Sequence, residues 1–186
     1  MLYKIHQMTE SRKYVREIII FTDGSFSKRK NIKTGRTDIF CGYGIYFPNK
    51  ELPNISRPFT LPKKTNQRAE LFAIYVALVI INKKLNYDKA IIYSDSEYSI
   101  KSLTVWIETW KNNYWKNSKK KPVENLDIIV PLDRILSRNR GKISFVHVRS
   151  HTGLTDPLSI GNDIADKLAT SGATRMQKIE KMKVSI

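Results

Sequence analysis

The sequence has few of the features that mark secreted and membrane proteins. Its 186 residues include one cysteine, Cys41, so an internal disulfide is excluded and a reducing compartment is indicated. No run of apolar residues approaches the roughly 20 positions that a membrane-spanning helix needs. Residues 1–16 mix charged and polar side chains and lack the apolar core of a secretory signal. We therefore expect an intracellular protein that does not associate with a membrane.

Acidic residues are scarce as well. The chain has 17 Asp and Glu against 33 Lys and Arg, which gives a formal net charge of +16. Such an excess favours a polyanionic partner, most often a nucleic acid. The apolar fraction of 41% and the length suit one folded domain, with no repeat or linker that would divide it. Nothing in the sequence indicates more than a monomer.

Short apolar runs and helical spacings follow one another in an order typical of an α/β fold. Helices are predicted after a Thr65 cap, after Ser96, from Asn125 to Arg138 and from Asn162 to Ser171. Five strands are predicted, at residues 15–22, 41–47, 56–61, 90–95 and 142–148. This order predicts a five-stranded mixed sheet flanked by helices.

Three segments are predicted along the chain. Residues 1–14 are expected to form a flexible N-terminal arm, residues 15–172 one folded domain, and residues 173–186 a basic C-terminal tail. Gly172 is expected to end the last helix as its C-cap.

Two features of the first half bear on its local structure. The polar, basic stretch from Ser27 to Asp38 predicts a hairpin loop that is longer than usual. Gly42 and Gly44 in the second strand indicate either a bulge or the close approach of another backbone.

Four acidic residues stand where this order of elements could bring them together. Asp23 and Asp95 each follow an apolar strand, and parallel neighbouring strands would place both carboxylates at one edge of the sheet. Glu70 lies in the first turns of a helix among apolar neighbours, and Asp163 opens the last helix. Singly, each could be ordinary: a turn former, a surface acid or a helix-start charge. All four being ordinary in one chain is the weaker interpretation.

Crowded carboxylates repel one another, and each raises the pKa of its neighbours unless cations lie between them. Clusters of oxygen ligands suit magnesium or manganese. Two such ions, about 4 Å apart, can clamp the attacking and leaving oxygens of a phosphodiester. This chemistry explains why acids would be gathered on an otherwise basic protein.

The segments around these acids occur in a specific order and spacing. They are Thr22-Asp23-Gly24-Ser25, Thr65 to Leu71, Tyr93 to Ser96, Trp106 to Lys116 followed by Lys120 to Val123, and Gly161 to Asp166. Together they resemble type 1 ribonuclease H over nearly the whole chain, so that residues 15–172 would form its catalytic domain. The resemblance implies a ribonuclease H-like fold and a magnesium-dependent endonuclease, with Mn²⁺ a possible substitute. Such an enzyme hydrolyses the RNA strand of RNA/DNA hybrids, giving 5′-phosphate and 3′-hydroxyl ends.

The resemblance also implies roles for single residues. Asp23 would bridge two magnesium ions, with Glu70, Asp95 and Asp163 as further ligands. His151, in the loop before the last helix, would assist proton transfer or product release. The alternative for His151 is an ordinary exposed loop histidine. The protein would work in the cytoplasm or wherever the genome is replicated.

Contacts to the nucleic acid are expected in two regions. By family position, Ser25, Asn66 and Gln67 would read the 2′-hydroxyl of the RNA strand. Arg68 would hold a DNA phosphate, or else form a salt bridge. The basic aromatic segment would grip the DNA strand; its candidate residues are Trp106, Trp110, Lys111, Trp115, Lys116, Lys120 and Lys121. Core packing is the alternative for part of Trp106 and Trp110.

Two other functions stay open on the sequence alone. One is a related two-metal nuclease or strand-transfer enzyme with another substrate, against which the basic aromatic segment argues. The other is a catalytically inactive nucleic-acid-binding module of the same fold. The acids and His151 argue against it, because pure binding of a polyanion does not need buried carboxylates.

Overall fold

The computed structural model describes residues 13–30, 32, 35–150 and 153–184, with side chains as far as residue 175. The predicted arm over residues 1–14 thus lies outside the described residues, apart from its last two positions. Within these ranges, no helix combines the length and the apolar character needed to cross a bilayer.

The predicted five-stranded mixed sheet is confirmed. Its order is β3-β2-β1-β4-β5. β2 runs antiparallel to β1 and β3, whereas β4 runs parallel to β1 and β5. The strands are β1 (Lys13–Lys30), β2 (Thr37–Tyr46), β3 (Ile55–Pro58), β4 (Leu85–Ser94) and β5 (Ile143–His147).

Helices connect the strands and cover the sheet. A π-helical turn, Ser102–Trp106, joins α2 to α3. Two predicted caps are present: the Thr65 hydroxyl accepts from the Arg68 N–H, and the Ser96 hydroxyl accepts from the Ser99 N–H. The helices are α1 (Asn66–Lys84), α2 (Glu97–Lys101), α3 (Ile107–Asn112), α4 (Leu126–Arg138) and α5 (Pro157–Val184).

The core lies between the sheet and the helices on its two faces. Ile18 and Ile20 of β1 and Ile92 of β4 are fully buried, as the continuous apolar runs predict for central strands. α1 and α5 pack on opposite faces of the sheet. Gly24 approaches α1, whereas Gly44, the pairing partner of Asp23, approaches α5. Asp23 and Gly24 are consecutive in β1 and so point to opposite faces. They therefore face α5 and α1 respectively.

The predicted hairpin loop from Ser27 to Asp38 is wrong. β1 continues to Lys30 and β2 begins at Thr37, with continuous pairing from Phe26↔Cys41 to Lys30↔Thr37. We call this paired extension, Ser27–Lys30 with Thr37–Phe40, the ribbon. Apart from the buried Phe40, its side chains are more exposed than those of the central strands.

The last helix is also longer than expected. α5 runs without interruption from Pro157 to Val184, so Gly172 does not cap it and residues 173–184 are helical. A Cβ at Gly172 would lie 2.4 Å from the Arg57 carbonyl oxygen. Glycine is therefore required here by packing against β3, rather than by a helix end.

The paired glycines of β2 resolve into close packing. A Cβ at Gly42 would lie 2.1 Å from the Ala173 nitrogen, and one at Gly44 would lie 2.2 Å from the Ala165 carbonyl oxygen. The pairing of β1 with β2 is one to one through both positions, so no bulge occurs there. Of the two alternatives, the close approach of another backbone is the one present.

Candidate active site

Two carboxylates meet where the parallel pairing of β1 with β4 ends. Phe21 of β1 pairs with Tyr93 of β4, so Asp23 and Asp95 each come two residues after this pair. Asp23 is buried, with 4% of its surface exposed, because β1 continues into the ribbon and α5 covers it. Asp95 is half-buried. The two carboxylates therefore lie close together just past the last parallel pair, as the strand pattern predicts, although only β4 ends there.

Glu70 reaches the same point from α1. It is 3% exposed, and one oxygen atom each from Asp23, Glu70 and Asp95 lie within 4.8 Å of one another. The approach depends on Gly24, because a Cβ there would lie 2.3 Å from the Glu70 backbone nitrogen. In the Asp23-Gly24 sequence, the aspartate supplies one carboxylate and the glycine leaves room for α1, which supplies Glu70.

The position of the fourth acid differs from the sequence-based expectation. Asp166, not Asp163, lines the cavity of about 390 Å³ that holds the three clustered carboxylates. The negative charge of Asp166 also raises the pKa of Asp23, which places it close to that group. Asp163 lies three residues earlier on α5, half-buried, and does not line this cavity.

Asp166 could have been found from its spacing. Asn162, Asp166 and Thr170 follow one another at four-residue intervals, so they share one face of a helix. At the two ends of this row, Asn162 donates to Asp95 and the Thr170 hydroxyl bonds the Ser25 hydroxyl. This polar row lies next to the buried Ala165 and Ala169, which are on the face of α5 that packs against the sheet.

Burial and mutual repulsion make these acids hard to ionise without a cation. Burial, and then the charges of Asp95 and Asp166, raise the pKa of Asp23 to about 8. Burial and the charges of Asp23 and Asp95 raise the pKa of Glu70 well above its ordinary value. The raised pKa values mean that these carboxyl groups resist ionisation. A bound divalent cation would instead favour their charged forms.

The donor set fits a hard divalent cation. Every ligand in the cluster is a carboxylate oxygen, which magnesium and manganese prefer. The Glu70 Oε2 atom is buried and has no hydrogen-bond partner among the described residues, which is costly unless something binds it. Asp23, Glu70, Asp95 and Asp166 are therefore the residues that could hold such an ion.

Two asparagine side chains hold the acids in place. Asn162 is 2% exposed, and its Nδ2 donates to Asp95 Oδ2 over 3.2 Å. Asn66 Nδ2 donates to Glu70 Oε1 over 3.3 Å. Each carboxylate keeps its other oxygen for a further partner. Such supporting hydrogen bonds fix the orientation of metal ligands.

The residues predicted to read the substrate fall into two cavities. Ser25 and Asn66 line the acidic cavity beside Asp23. Gln67 and Arg68 line a neighbouring cavity of about 650 Å³, formed between the start of α1 and the segment before α4. Ser96 and Ser150 also line the acidic cavity, although neither is among the residues predicted to contact the substrate. Nothing in their immediate sequence context distinguishes them as cavity residues.

Arg68 forms the salt bridge that the sequence left open as an alternative. Its guanidinium donates two hydrogen bonds to the Asp127 carboxylate, over 2.8 and 2.5 Å, and one to Asn125 Oδ1. Asp127 raises the pKa of Arg68 through these bonds. With its guanidinium engaged in this way, Arg68 has a structural role where α1 meets α4.

The basic aromatic segment follows α2 and contributes to both packing and surface. The Trp106 and Trp110 rings lie 5.6 Å apart, and Trp110 and Trp115 pack against the core. Lys111 is held by Glu108 and Asp133, at 3.3 and 3.2 Å. The exposed cations of the following loop are Lys116, Lys119, Lys120 and Lys121. Core packing is thus part of the role of the tryptophans, as the alternative held.

The prediction for His151 lies outside the described residues. Its neighbour Ser150 lines the acidic cavity. His147, the last residue of β5, places its Nε2 3.2 Å from the Asp95 carbonyl oxygen.

Comparison with known proteins gives consistent matches. The family model described as RNase H matches residues 15–174. Ribonuclease H of Schizosaccharomyces pombe is 38% identical over 156 residues, which are 84% of this chain and 53% of that protein. A probable ribonuclease H of Acanthamoeba polyphaga mimivirus is 40% identical over 150 residues, or 80% of this chain and 65% of that protein.

Among solved structures, the PFV RNase H domain in solution aligns with a TM-score of 0.63 and 26% identity. The alignment covers 84% of this chain and 94% of that domain. The chain spans about half to two thirds of the length of the two curated relatives. The similarity therefore concerns part of each of those two proteins and nearly the whole of the PFV domain.

Proposed function

Because this chain belongs to the ribonuclease H family, we propose that it is an endonuclease that hydrolyses the RNA strand of RNA/DNA hybrids. Cleavage leaves 5′-phosphate and 3′-hydroxyl ends. The observation that carries the proposal is the cluster of Asp23, Glu70 and Asp95, whose oxygens lie within 4.8 Å on a chain of net charge +16. A module that only bound nucleic acid would gain nothing from buried acids facing a polyanion.

The cofactor in this proposal is a pair of magnesium ions, for which manganese can substitute. Asp23, Glu70, Asp95 and Asp166 would hold them. When bound, such ions would supply a water activated for in-line attack and charge that stabilises the leaving 3′-oxygen. Asp166 takes the place that the sequence-based prediction gave to Asp163, because only Asp166 lines the cavity. All four ligands come from one chain, so a monomer suffices.

The chain itself orients these ligands and the substrate. Asn162 and Asn66 each fix one carboxylate through the hydrogen bonds at 3.2 and 3.3 Å. Ser25 and Asn66 offer a hydroxyl and an amide beside the acids, which suit the 2′-hydroxyl that distinguishes RNA from DNA. His151, on the loop after Ser150, carries a proton to or from the reacting groups.

The DNA strand is held by the exposed loop after α3. Lys116, Lys120 and Lys121 supply charge for phosphates, and Trp115 supports the loop from the core. The larger cavity is lined by Pro122, which follows Lys121 of this loop, and by Gln67, which follows Asn66 of the acidic cavity. A duplex with one strand at the acids would thus meet the loop with its other strand.

The first test is cleavage of a hybrid with a labelled RNA strand, with magnesium and with a chelator. We expect magnesium-dependent cutting of the hybrid's RNA, and no cutting of single-stranded RNA, duplex RNA or duplex DNA. Labelling of the product's 5′ end by a polynucleotide kinase should require prior phosphatase treatment. A hybrid that is bound but left intact with either magnesium or manganese would make the protein a binding module instead.

The same assay distinguishes the two candidate fourth ligands. Asp166→Asn should lower the rate roughly a hundredfold or more, as loss of a metal ligand does, whereas Asp163→Asn should stay within about threefold of the wild type. Asp88→Asn, an exposed acid at the opposite end of β4, is the control. If Asp163→Asn is the inactive variant, the assignment of Asp166 is wrong.

A further inference from the structure

A second polar pocket lies beside the acidic cavity, between the ribbon and α5. It has a volume of about 210 Å³ and is lined by Ser25, Ser27 and Arg29 of β1, Phe40 of β2, and Thr170 and Thr174 of α5. We propose that this pocket binds a backbone phosphate of the RNA strand, next to the segment that is cut. The proposal rests on the proposed function, which places the RNA strand at the acids.

Strand geometry directs these side chains into one place. Alternate residues of a strand share a face, so Ser25, Ser27 and Arg29 point the same way, as does Phe40, the partner of Ser27. The same face carries Gly42, the partner of Ser25, against which α5 packs most closely. The ribbon thus extends the α5 side of the sheet beyond the acids and turns Arg29 toward Thr170 and Thr174.

The pocket offers hydrogen-bond donors, which a phosphate requires. Ser25 Oγ and Thr170 Oγ1 lie 3.3 Å apart and share one hydrogen, so one of the two hydroxyls can still donate outward. The Thr174 hydroxyl donates to the Thr170 carbonyl and is not available. Arg29 and the Ser27 hydroxyl add further donors. A guanidinium with two hydroxyl donors suits the two non-bridging oxygens of a backbone phosphate, each of which can accept more than one hydrogen bond.

Arg29 is free to bind an anion. Its guanidinium lies 5.8 Å from the centre of the Phe40 ring, which supports it without using its donors. Asp38 is its partner across the ribbon, yet in the part of the chain that the structure describes no carboxylate lies within 4.0 Å of Arg29. The charge is therefore exposed and held over a pocket of hydroxyls.

The position of the pocket selects the strand that it would contact. Ser25 lines both the pocket and the acidic cavity, and it follows Asp23 on the same face by roughly 7 Å. The exposed lysines proposed for the DNA strand lie instead on the loop after α3, which lines neither cavity. A strand lying at the acids and continuing past Ser25 reaches Arg29, and under the proposed function this strand is RNA.

Substitution of one exposed cation, with a matched control beside it, tests the pocket. Arg29→Ala should weaken binding of a short hybrid roughly tenfold, as loss of one charge-assisted contact does. Lys30→Ala is the control, because it removes the same charge one residue away but points to the other face of the ribbon. It should change the Kd less than about twofold. Both residues are exposed, so both variants should fold.

Neutral phosphates identify the contact itself. A short run of ribonucleotides in one strand fixes the register, and a single methylphosphonate replaces each phosphate in turn, in either strand. Binding is measured with a chelator, so the result does not depend on cleavage. The wild type and Lys30→Ala should each lose roughly tenfold in affinity at one position of the ribonucleotide-containing strand. Arg29→Ala should lose nothing further there.

The outcomes separate this proposal from the proposed function. If Arg29→Ala binds like Lys30→Ala, or if the coupled phosphate lies in the DNA strand, the pocket is not an RNA-phosphate site. Failure of the wild type to cut the hybrid with magnesium would overturn the proposed function, while the binding data would still decide whether Arg29 contacts a phosphate.

Discussion

At the scale of single residues, Asp23 shows how the acidic cluster lowers the stability of the folded protein when no cation is bound. Its side chain is 4% exposed, and its pKa is raised to about 8 against an ordinary value near 4. Between these two values the folded protein binds a proton that the unfolded chain has released. Stability of the metal-free protein should therefore fall as the pH rises from about 4 to 8, and level off above that.

This behaviour predicts the effect of removing the charge. Asp23→Asn should raise the melting temperature of the metal-free protein at pH 8 by at least about 2–4 °C, equivalent to about 1 kcal/mol at this chain length. The gain should shrink toward pH 4, where the wild-type carboxyl becomes neutral in the unfolded chain as well as in the folded protein. Thermal unfolding with a chelator measures it, and Asp88→Asn controls for loss of an exposed acid. A gain that does not change with pH would contradict the raised pKa.

Functional residues could be predicted from the sequence where the pattern that identifies them involves only neighbouring residues. The acid within β1, the acid after β4 and the Thr65 cap each follow from a few neighbouring residues, and the structure brings the two acids together and forms the cap as expected. Asp166 was missed because its role depends on helix phase. Asp163 and Asp166 both lie in the first half of α5 beside apolar residues, and only the packing of Ala165 and Ala169 against the sheet decides which one faces Asp23.

At the scale of elements, the sequence predicts the existence of the strands and helices better than their ends. Gly172 is a usual stop signal, and glycine costs a helix about 1 kcal/mol. In α5 that cost is outweighed by close packing, since a larger residue would meet the Arg57 carbonyl. The ribbon was missed because Lys28, Arg29 and Lys30 have low strand propensity and no apolar alternation. Pairing with β2 extends the strand instead.

The contact between β2 and α5 gives a prediction at this scale. A Cβ at Gly44 would lie 2.2 Å from the Ala165 carbonyl and 2.6 Å from the Ala169 nitrogen, so α5 must move away from the sheet. Gly44→Ala should lower the free energy of unfolding by about 2 kcal/mol or more, and displacement of Asp166 should reduce cleavage as well.

Denaturant unfolding measures the loss of stability, and Gly35→Ala is the comparison. Gly35 has a positive φ of 67°, but a Cβ at this position would have no other atom within 4 Å. Alanine there costs only the backbone strain of about 1–2 kcal/mol. Equal stability of Gly44→Ala and the wild type would show that α5 does not pack on β2 as described.

At the scale of the whole molecule, the clustered carboxylates are separated from two groups of exposed cations. The chain carries a net charge of +16, yet its clustered carboxylates lie in one cavity at the sheet edge. The two groups of cations lie on the ribbon, with Lys28, Arg29 and Lys30, and on the loop after α3. A polyanion would thus be attracted by the surroundings of the site, and the acids could be neutralised only by small cations that enter with it.

This separation predicts a strong and localised dependence of binding on salt. Each phosphate neutralised by a lysine or arginine contributes roughly 0.7–0.9 to the slope of log K against log salt concentration. The double variant Lys120→Gln/Lys121→Gln should therefore reduce the magnitude of the slope for a hybrid by about 1–2. The control, Lys50→Gln/Lys83→Gln, removes the same charge from the β2–β3 turn and the end of α1, at the other end of the sheet. It should lower affinity slightly and leave the slope unchanged. Equal slopes for the two double variants would mean that net charge alone attracts the hybrid and that the loop makes no contact with phosphate.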